Sequence, residues 1–262
     1  MTAQPPPIEI EAKFTLDAPE VGDALAEADT LADDIMLGAV AEKVDQDDYA
    51  DTDDLALLRA GWALRHRTRF ITGAEGWPSV KHVVTLKQLA GAATLRDGVH
   101  VRAEHEGPVV GPPFDTAGWP DDVRLAAEAA VGGAVPPLAE LFTLAQRRRV
   151  RAVTLDGATV GELSIDAVRL HLPGDIRRGA DAIASFDEVE VELVPGATMD
   201  DLARVVPALS AASGGRAAVG GKFDRAVELL AEAPAVAELP PDERARLARA
   251  LSILGARDGD VV

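Results

Sequence analysis

The amino-acid sequence predicts an α+β protein built on an eight-stranded antiparallel closed β-barrel with a charged lumen and surrounding helices. The first observation is a strand-like stretch at residues 8–14, in which charged and aliphatic side chains alternate. The second is the return of this pattern at residues 186–193, where glutamates alternate with aliphatic residues. Because successive strand side chains point to opposite faces, both stretches have one charged and one apolar face. The third is a count of about eight strands, at which a closed barrel has room for side chains or one small ligand.

Alternating patterns predict the strands, which dominate the first two-thirds of the chain. The pair Asp156-Gly157, between two alternating runs, is a strong hairpin signal. Another run places Arg65, Arg67 and Arg69 on one face. The predicted strands cover residues 8–16, 36–50, 62–70, 79–88, 98–106, 146–155, 158–171 and 185–194.

Apolar residues at helical spacing, together with end signals, predict the helices. Pro19 opens the first, whose apolar spacing extends to Leu31. Thr52 as N-cap and Gly61 as stop delimit a short second helix. The predicted helices cover residues 19–31, 53–60, 121–131, 137–142, 199–213, 222–231 and 242–254.

The composition excludes several classes of function. The formal charge is −18, from 44 acidic and 26 basic side chains in 262 residues, and such a field repels nucleic-acid backbones and anionic membranes. The chain has no cysteine, which excludes disulfides, zinc-thiolate sites and thiol nucleophiles. The N-terminus lacks the pattern of a signal peptide, and no apolar run reaches the ~20 residues that span a bilayer. We therefore expect a cytoplasmic protein that binds neither nucleic acid nor membrane.

Charged side chains of both signs lie on the same strand faces as the alternating glutamates. Either sign alone would be costly inside a barrel, because an unpaired buried charge costs several kcal/mol. The mixture is too rich in both signs to be only structural, and a polyphosphate with Mg²⁺ or Mn²⁺ would satisfy it, since Arg and Lys bind phosphate oxygens and carboxylates bind the metal. The acidic candidates are Glu9, Glu11, Glu104, Asp166, Glu188, Glu190 and Glu192, and the basic candidates are Lys13, Arg65, Arg67, Lys81, Lys87, Arg102 and Arg148.

These residues fall in ordered blocks that resemble the CYTH superfamily, the triphosphate tunnel metalloenzymes. The family comprises thiamine triphosphatases, inorganic tripolyphosphatases and class IV adenylate cyclases, and the resemblance implies an eight-stranded antiparallel tunnel. It runs from about residue 8 to 231, so it predicts a tunnel domain at residues 1–232 and a C-terminal linker and helix at 233–262. The matching blocks are Glu9-Ile-Glu11-Ala-Lys13, residues 49–67, Thr85-Leu86-Lys87, Val101-Arg102-Ala-Glu104, residues 142–148, Ile165-Asp166, residues 188–193 and residues 221–226.

The resemblance also implies a role for each matching residue. The metal ligands would be Glu9, Glu11, Glu104, Glu190 and Glu192, with Mg²⁺ or Mn²⁺ as the cofactor. The substrate would be bound by Lys13, Arg65, Arg67, Lys87, Arg102, Arg148 and Lys222. The catalytic residues would be Lys13, Glu11 and Glu190.

The chain departs from the family pattern at two places. Gln146 stands where members often have a second basic residue, and Arg147 or Arg149 can replace it only if a β-bulge changes the parity. Gly221 stands where a serine commonly precedes the C-terminal lysine. These differences put phosphate contacts at the two places in doubt, but not the fold.

The sequence thus predicts a metal-dependent hydrolase of a linear triphosphate, with inorganic tripolyphosphate as the favoured substrate because no pocket for thiamine or adenine is evident. Class IV-type adenylate cyclase and thiamine triphosphatase remain alternatives within the same fold. A non-catalytic polyphosphate- or nucleotide-binding module is the alternative from another class. A homodimer is left open.

Overall fold

Eight antiparallel strands close into a barrel in the computed structural model of the chain, which describes residues 7–72, 78–89, 93–94 and 98–258. Each barrel strand hydrogen-bonds to two neighbours, in the order β10-β11-β1-β8-β6-β5-β4-β9, and β9 pairs back onto β10. The short β2 and β3 continue the sheet from β9, and β7 pairs with β8. The strands are β1 (Ile8–Leu16), β2 (Thr30–Ala32), β3 (Ile35–Leu37), β4 (Ala41–Thr52), β5 (Trp62–Thr72), β6 (Pro78–Gln88), β7 (Ala93–Thr94), β8 (Val99–Pro108), β9 (Leu138–Leu155), β10 (Ala158–His171) and β11 (Ala184–Leu193).

Helices surround the barrel, and the predicted α+β class with a closed eight-stranded barrel is confirmed. The described ranges contain α1 (Pro19–Glu27), α2 (Ala56–Arg59), α3 (Asp121–Val131), α4 (Asp175–Arg178), α5 (Met199–Ser213), α6 (Lys222–Glu232) and α7 (Pro241–Asp258). None of the described helices is long and apolar enough to cross a membrane.

Three helix predictions are wrong in part or in full. The short helix α2 covers Ala56–Arg59 rather than 53–60, and its N-cap is Leu55 rather than Thr52. The first helix ends at Glu27, and Leu31 lies instead in β2. The predicted helix at 137–142 is the start of β9, where Leu138 and Ala139 pair with Thr52 and Asp51 at the end of β4. A six-residue segment that is mostly apolar does not distinguish helix from strand by itself, and here the free edge of β4 supplies the backbone partners.

The turn between β9 and β10 confirms the predicted hairpin. Asp156 and Gly157 both have positive φ angles, of 52° and 82°, as a two-residue turn of the type that matches strand twist requires. Leu155 and Ala158 pair directly across it. The two longest strands of the barrel are therefore held in one register along most of their length.

The hydrophobic core lies between the outer face of the barrel and the helices. Val189 and Val191 of β11 and Leu163 of β10 are buried beneath Leu202 and Leu209 of α5. Further clusters lie under α6 and α7 and under α2 and α3. Each fully buried aliphatic side chain contributes about 1.5–3 kcal/mol. Because the apolar faces point outward into this layer, the alternate positions of every strand are left to face the lumen.

Two arginines connect helix α7 to the end of the barrel, and Arg246 makes most of the contacts, while Arg249 donates to the Asp53 carbonyl oxygen at 3.1 Å. The guanidinium of Arg246 donates hydrogen bonds to the carbonyl oxygens of Asp51, Ala139 and Glu140, at 2.5, 2.9 and 3.0 Å. Leu247 also joins the hydrophobic cluster under α6 and α7. The domain boundary expected after residue 232 stays a prediction.

Candidate functional site

The barrel encloses a charged cavity with about 1030 Å³ of empty space, part of it open to solvent. The twelve residues predicted from the sequence to bind metal or substrate all line it, so the structure brings them together although their roles stay predictions. They are Glu9, Glu11, Lys13, Arg65, Arg67, Lys87, Arg102, Glu104, Arg148, Glu190, Glu192 and Lys222.

Strand register places acids and bases side by side in the lumen. Lys13 of β1 lies opposite Glu190 of β11, and Glu11 lies opposite Glu192. On the other side of β1, Glu9 is the partner of a β8 arginine. Since the side chains of directly paired residues lie on the same face of the sheet, each pairing turns a charge inward beside another charge.

Glu11 is at the centre of the buried network. Its carboxylate accepts a hydrogen bond from Arg102 at 2.8 Å and lies 3.1 Å from the Lys13 ammonium. Burial alone would raise the pKa of Glu11, but Lys13, Lys87 and Arg102 outweigh it and lower the pKa to about 2. Lys13 in turn lies 2.9 Å from Glu190. Glu11 is therefore ionised at any physiological pH.

Two other glutamates of the same cavity have raised rather than lowered pKa values. Burial and the nearby Glu11 carboxylate raise the pKa of Glu9 to about 8. Burial and Glu190 raise the pKa of Glu192, at the solvent-exposed rim, to about 7. Several carboxylates thus lie together on neighbouring strands, and carboxylate oxygens are the ligands that Mg²⁺ and Mn²⁺ accept. The residues present thus fit a divalent metal on the β1, β8 and β11 side of the lumen.

Lys87 bridges three of the acidic groups. Its ammonium contacts the Glu9 carboxylate and lies 3.0 Å from Glu104 and 3.8 Å from Glu11. Burial would raise the pKa of Glu104, but Lys87 and Arg65 lower it. A bound metal and Lys87 would therefore share the same carboxylates.

Lys222 and Arg148 form a second part of the network, which is joined to the first through Glu190. The Lys222 ammonium, at the first turn of α6, lies 2.8 Å from Asp166, 2.5 Å from Glu188 and 3.1 Å from Glu190. Arg148 donates to Asp166 and Glu190 at 2.8 and 2.6 Å. Three carboxylates here lie close enough to share one cation, and the ammonium of Lys222 contacts all three.

Two aspartates that the sequence reasoning missed hold the arginines of β5 in place. Asp47, fully buried, accepts two hydrogen bonds from Arg67, at 2.6 and 2.7 Å. Asp45 accepts two from Arg69, both at 2.8 Å. Burial would raise the pKa of Asp47, but Arg67 and Arg65 hold it well below its usual range. The signal was present in the sequence, because both aspartates alternate in phase with Tyr49 along the predicted strand.

The two departures from the family pattern have structural explanations. Gln146 faces the lumen and donates a hydrogen bond to Asp47 at 2.5 Å. The neighbouring Arg147 points outward and is 76% exposed, since no bulge interrupts β9 at this position. At Gly221, an added Cβ would lie only 3.1 Å from the guanidinium of Arg102. The glycine therefore leaves room for the guanidinium of Arg102. Gln146 carries no charge, and its role is to donate a hydrogen bond to Asp47.

Comparison with solved structures establishes the fold. The chain superposes on HpAC1 from Hippeastrum, proposed as an adenylyl cyclase and described as having a dominant triphosphatase activity, with a TM-score of 0.56, 18% identity and coverage of 90% of this chain and 99% of that one. A proposed adenylate cyclase from Bacillus halodurans gives a TM-score of 0.50 and 18% identity, over 83% of this chain and 96% of that one.

Similarity at the level of sequence adds nothing further. No family model matches the chain, and no curated protein matches it significantly. At 18% identity the structural likeness shows a shared fold. The side chains in the lumen therefore determine which chemistry the site can perform.

Proposed function

Since the chain has the closed-barrel fold of these triphosphatase and cyclase-like proteins, we propose that it catalyses the divalent-metal-dependent hydrolysis of a linear triphosphate inside the barrel. The observation that carries the proposal is the single cavity in which glutamates and a larger number of lysines and arginines meet. A phosphate chain with metal ions is the ligand that can engage both sets at once.

The cations would bind the phosphate chain. Arg65, Arg67, Lys87, Arg102, Arg148 and Lys222 all reach the cavity. Arginine matches phosphate oxygens with a rigid fork of donors, and lysine adds a point charge. Several of these cations have only carboxylate partners in the lumen, which a phosphate oxygen can replace at little cost in hydrogen bonding.

The metal would be held by Glu9, Glu11, Glu104, Glu190 and Glu192. When bound, Mg²⁺ or Mn²⁺ supplies Lewis-acid stabilisation of the charge on the phosphoryl oxygens. Glu9, Glu11 and Glu104 can share one cation, because the Lys87 ammonium already contacts Glu9 and lies 3.8 Å from Glu11 and 3.0 Å from Glu104.

Lys13, Glu11 and Glu190 would act on the reacting group. Lys13 lies between the two glutamates, 3.1 and 2.9 Å from their carboxylates. The two ionised carboxylates would accept hydrogen bonds from the attacking water and so orient it, while the ammonium donates to the phosphoryl oxygen. Phosphoryl transfer depends mainly on positioning and charge stabilisation, so this set needs no covalent nucleophile.

Inorganic tripolyphosphate is the substrate that we propose over a nucleotide or thiamine triphosphate. Tyr49 and Phe223 line one end of the cavity, but they are only 6% and 5% exposed. Both rings pack against Phe142, with ring centroids at 4.9 and 5.4 Å. They therefore have little free face on which an organic ring could stack.

The test is a phosphate-release assay with tripolyphosphate, thiamine triphosphate and ATP, each with Mg²⁺, Mn²⁺ or EDTA. We expect metal-dependent phosphate release that is fastest with tripolyphosphate. Formation of cyclic AMP from ATP would instead identify a cyclase. Binding of tripolyphosphate without phosphate release under any metal would identify a non-catalytic module.

A further inference from the structure

The same aspartate–arginine pair occurs twice in succession along β4 and β5. Asp47 is the direct register partner of Arg67, and Asp45 is the partner of Arg69. In both pairs, the arginine donates through Nε to one carboxylate oxygen and through Nη2 to the other. The second pair therefore repeats the geometry of the first, two residues further along each strand.

This side-on pairing fixes what each arginine offers to a ligand. The aspartate uses one edge of the guanidinium plane, and within the described residues Nη1 of Arg67 and Arg69 has no hydrogen bond. Both arginines line the cavity. An arginine held in this way loses little rotamer entropy when it binds an anion, because its orientation is already set.

The two arginines differ in depth. The Arg67 side chain is 9% exposed, whereas that of Arg69 is 27% exposed. Lys43, on the same lumenal face of β4, is also 27% exposed and lies 3.2 Å from Glu162, which is half exposed. An ion pair this exposed contributes little to stability, so Lys43 can exchange Glu162 for another anion.

We infer that Arg69 and Lys43 form an outer anion subsite that binds a fourth phosphoryl group, so that the tunnel favours linear polyphosphates longer than triphosphate. The inference rests on the proposed function, because it extends the phosphate-binding row from Arg67 toward the mouth. The phosphoryl group would displace the half-exposed Glu162 carboxylate from the Lys43 ammonium.

The experiment compares tripolyphosphate with tetrapolyphosphate in the wild type and in Arg69→Gln. Initial rates give kcat/KM with Mg²⁺, and calorimetry in EDTA gives the dissociation constants without turnover. Loss of one charge-assisted contact changes affinity by about tenfold. We therefore expect the preference for tetrapolyphosphate over tripolyphosphate to fall by about tenfold in Arg69→Gln. Arg147→Gln, which removes an outward-pointing arginine of the neighbouring β9, is the matched control and should keep the wild-type preference.

The outcomes separate this inference from the proposed function. If Arg69→Gln weakened the binding of tripolyphosphate and tetrapolyphosphate equally, or left the preference unchanged, the subsite would be overturned. The Asp45–Arg69 pair would then have a structural role. Arg69→Lys, which keeps the charge, should recover part of the preference, and no recovery in a folded Arg69→Lys would also count against the subsite. If the wild type released no phosphate from either chain but bound tetrapolyphosphate more tightly through Arg69, the hydrolase proposal would fail while the subsite would stand.

Discussion

Asp47→Asn is the substitution that best tests whether the lumen is built to hold arginines for an anion. The change removes one negative charge and keeps the shape of the side chain. Asp47 is fully buried and accepts hydrogen bonds from Arg67 and Gln146, and Arg65 lies 3.7 Å away. The variant would leave two arginines in the lumen without their main counter-charge.

The magnitude follows from the cost of an uncompensated buried charge. Removing one partner of a buried ion pair costs about 3–5 kcal/mol. Asp45 offsets part of this loss, because its carboxylate lies 3.4 Å from Arg67 Nε. We expect the free energy of unfolding to fall by about 2–4 kcal/mol, and each kcal/mol lowers Tm by about 2–4 °C in a chain of roughly this size.

Tripolyphosphate should restore part of the stability that Asp47→Asn loses. If the Asp47–Arg67 pair were only structural, no such recovery would be expected. The variant lumen has one more net positive charge, so an anion binds it more favourably. Ligand that binds only the folded state raises stability in proportion to the logarithm of its concentration over Kd. The rise in Tm on adding tripolyphosphate should therefore be larger for Asp47→Asn than for the wild type.

Thermal and urea denaturation, with and without tripolyphosphate in EDTA, measure both effects. Asp23→Asn is the control, since Asp23 forms an exposed ion pair with Arg149, and its stability should remain close to that of the wild type. An Asp47→Asn variant as stable as this control, or one that gains no more from tripolyphosphate than the wild type, would refute the reasoning.

Three further predictions concern the active site and the C-terminal helix. Glu11→Gln should abolish metal-dependent phosphate release while circular dichroism shows an intact fold; wild-type rates would remove Glu11 from the site. Arg67→Ala should raise KM and lower kcat for tripolyphosphate. Unchanged kinetics would show that Arg67 is not one of the residues that bind the phosphate chain. Arg246→Met should lower the free energy of unfolding by about 2 kcal/mol in urea denaturation, because it leaves buried carbonyl groups without donors; a neutral result would show that α7 is not fastened by this residue.

The barrel was predictable from the sequence because residues alternate with a period of two and one set of alternate positions is charged. Over residues 8–13 of β1 and 188–193 of β11, charged and aliphatic residues alternate strictly, so the two faces of each strand can be told apart without tertiary information. Accordingly, the cavity is lined by Glu9, Glu11, Lys13, Glu190 and Glu192 of these strands. A one-residue slip would have exchanged lumen and core, which makes this inference robust.

Other features depended on contacts that no local pattern contains. The segment at 137–142 looked helical because it is mostly apolar and begins at a proline, and only the free end of β4 made it a strand. The partners of Lys222 come from β10 and β11, more than thirty residues away along the chain. Asp45 and Asp47 carried a usable alternation, but their meaning depended on knowing that β5 pairs beside them.

The balance of charge in the lumen indicates how a phosphate chain and metal ions would bind. Nine cationic and seven acidic side chains line the cavity, and four further carboxylates lie against these cations from behind, those of Asp45, Asp47, Asp166 and Glu188. The interior is thus close to neutral before any ligand enters, so a triphosphate alone would introduce negative charge that the arginines and lysines already share with carboxylates. Metal ions alone would likewise meet glutamates that already have lysine partners. Bound together, phosphate draws the cations from the carboxylates and metal takes their place, so each ligand should strengthen the binding of the other by the same factor.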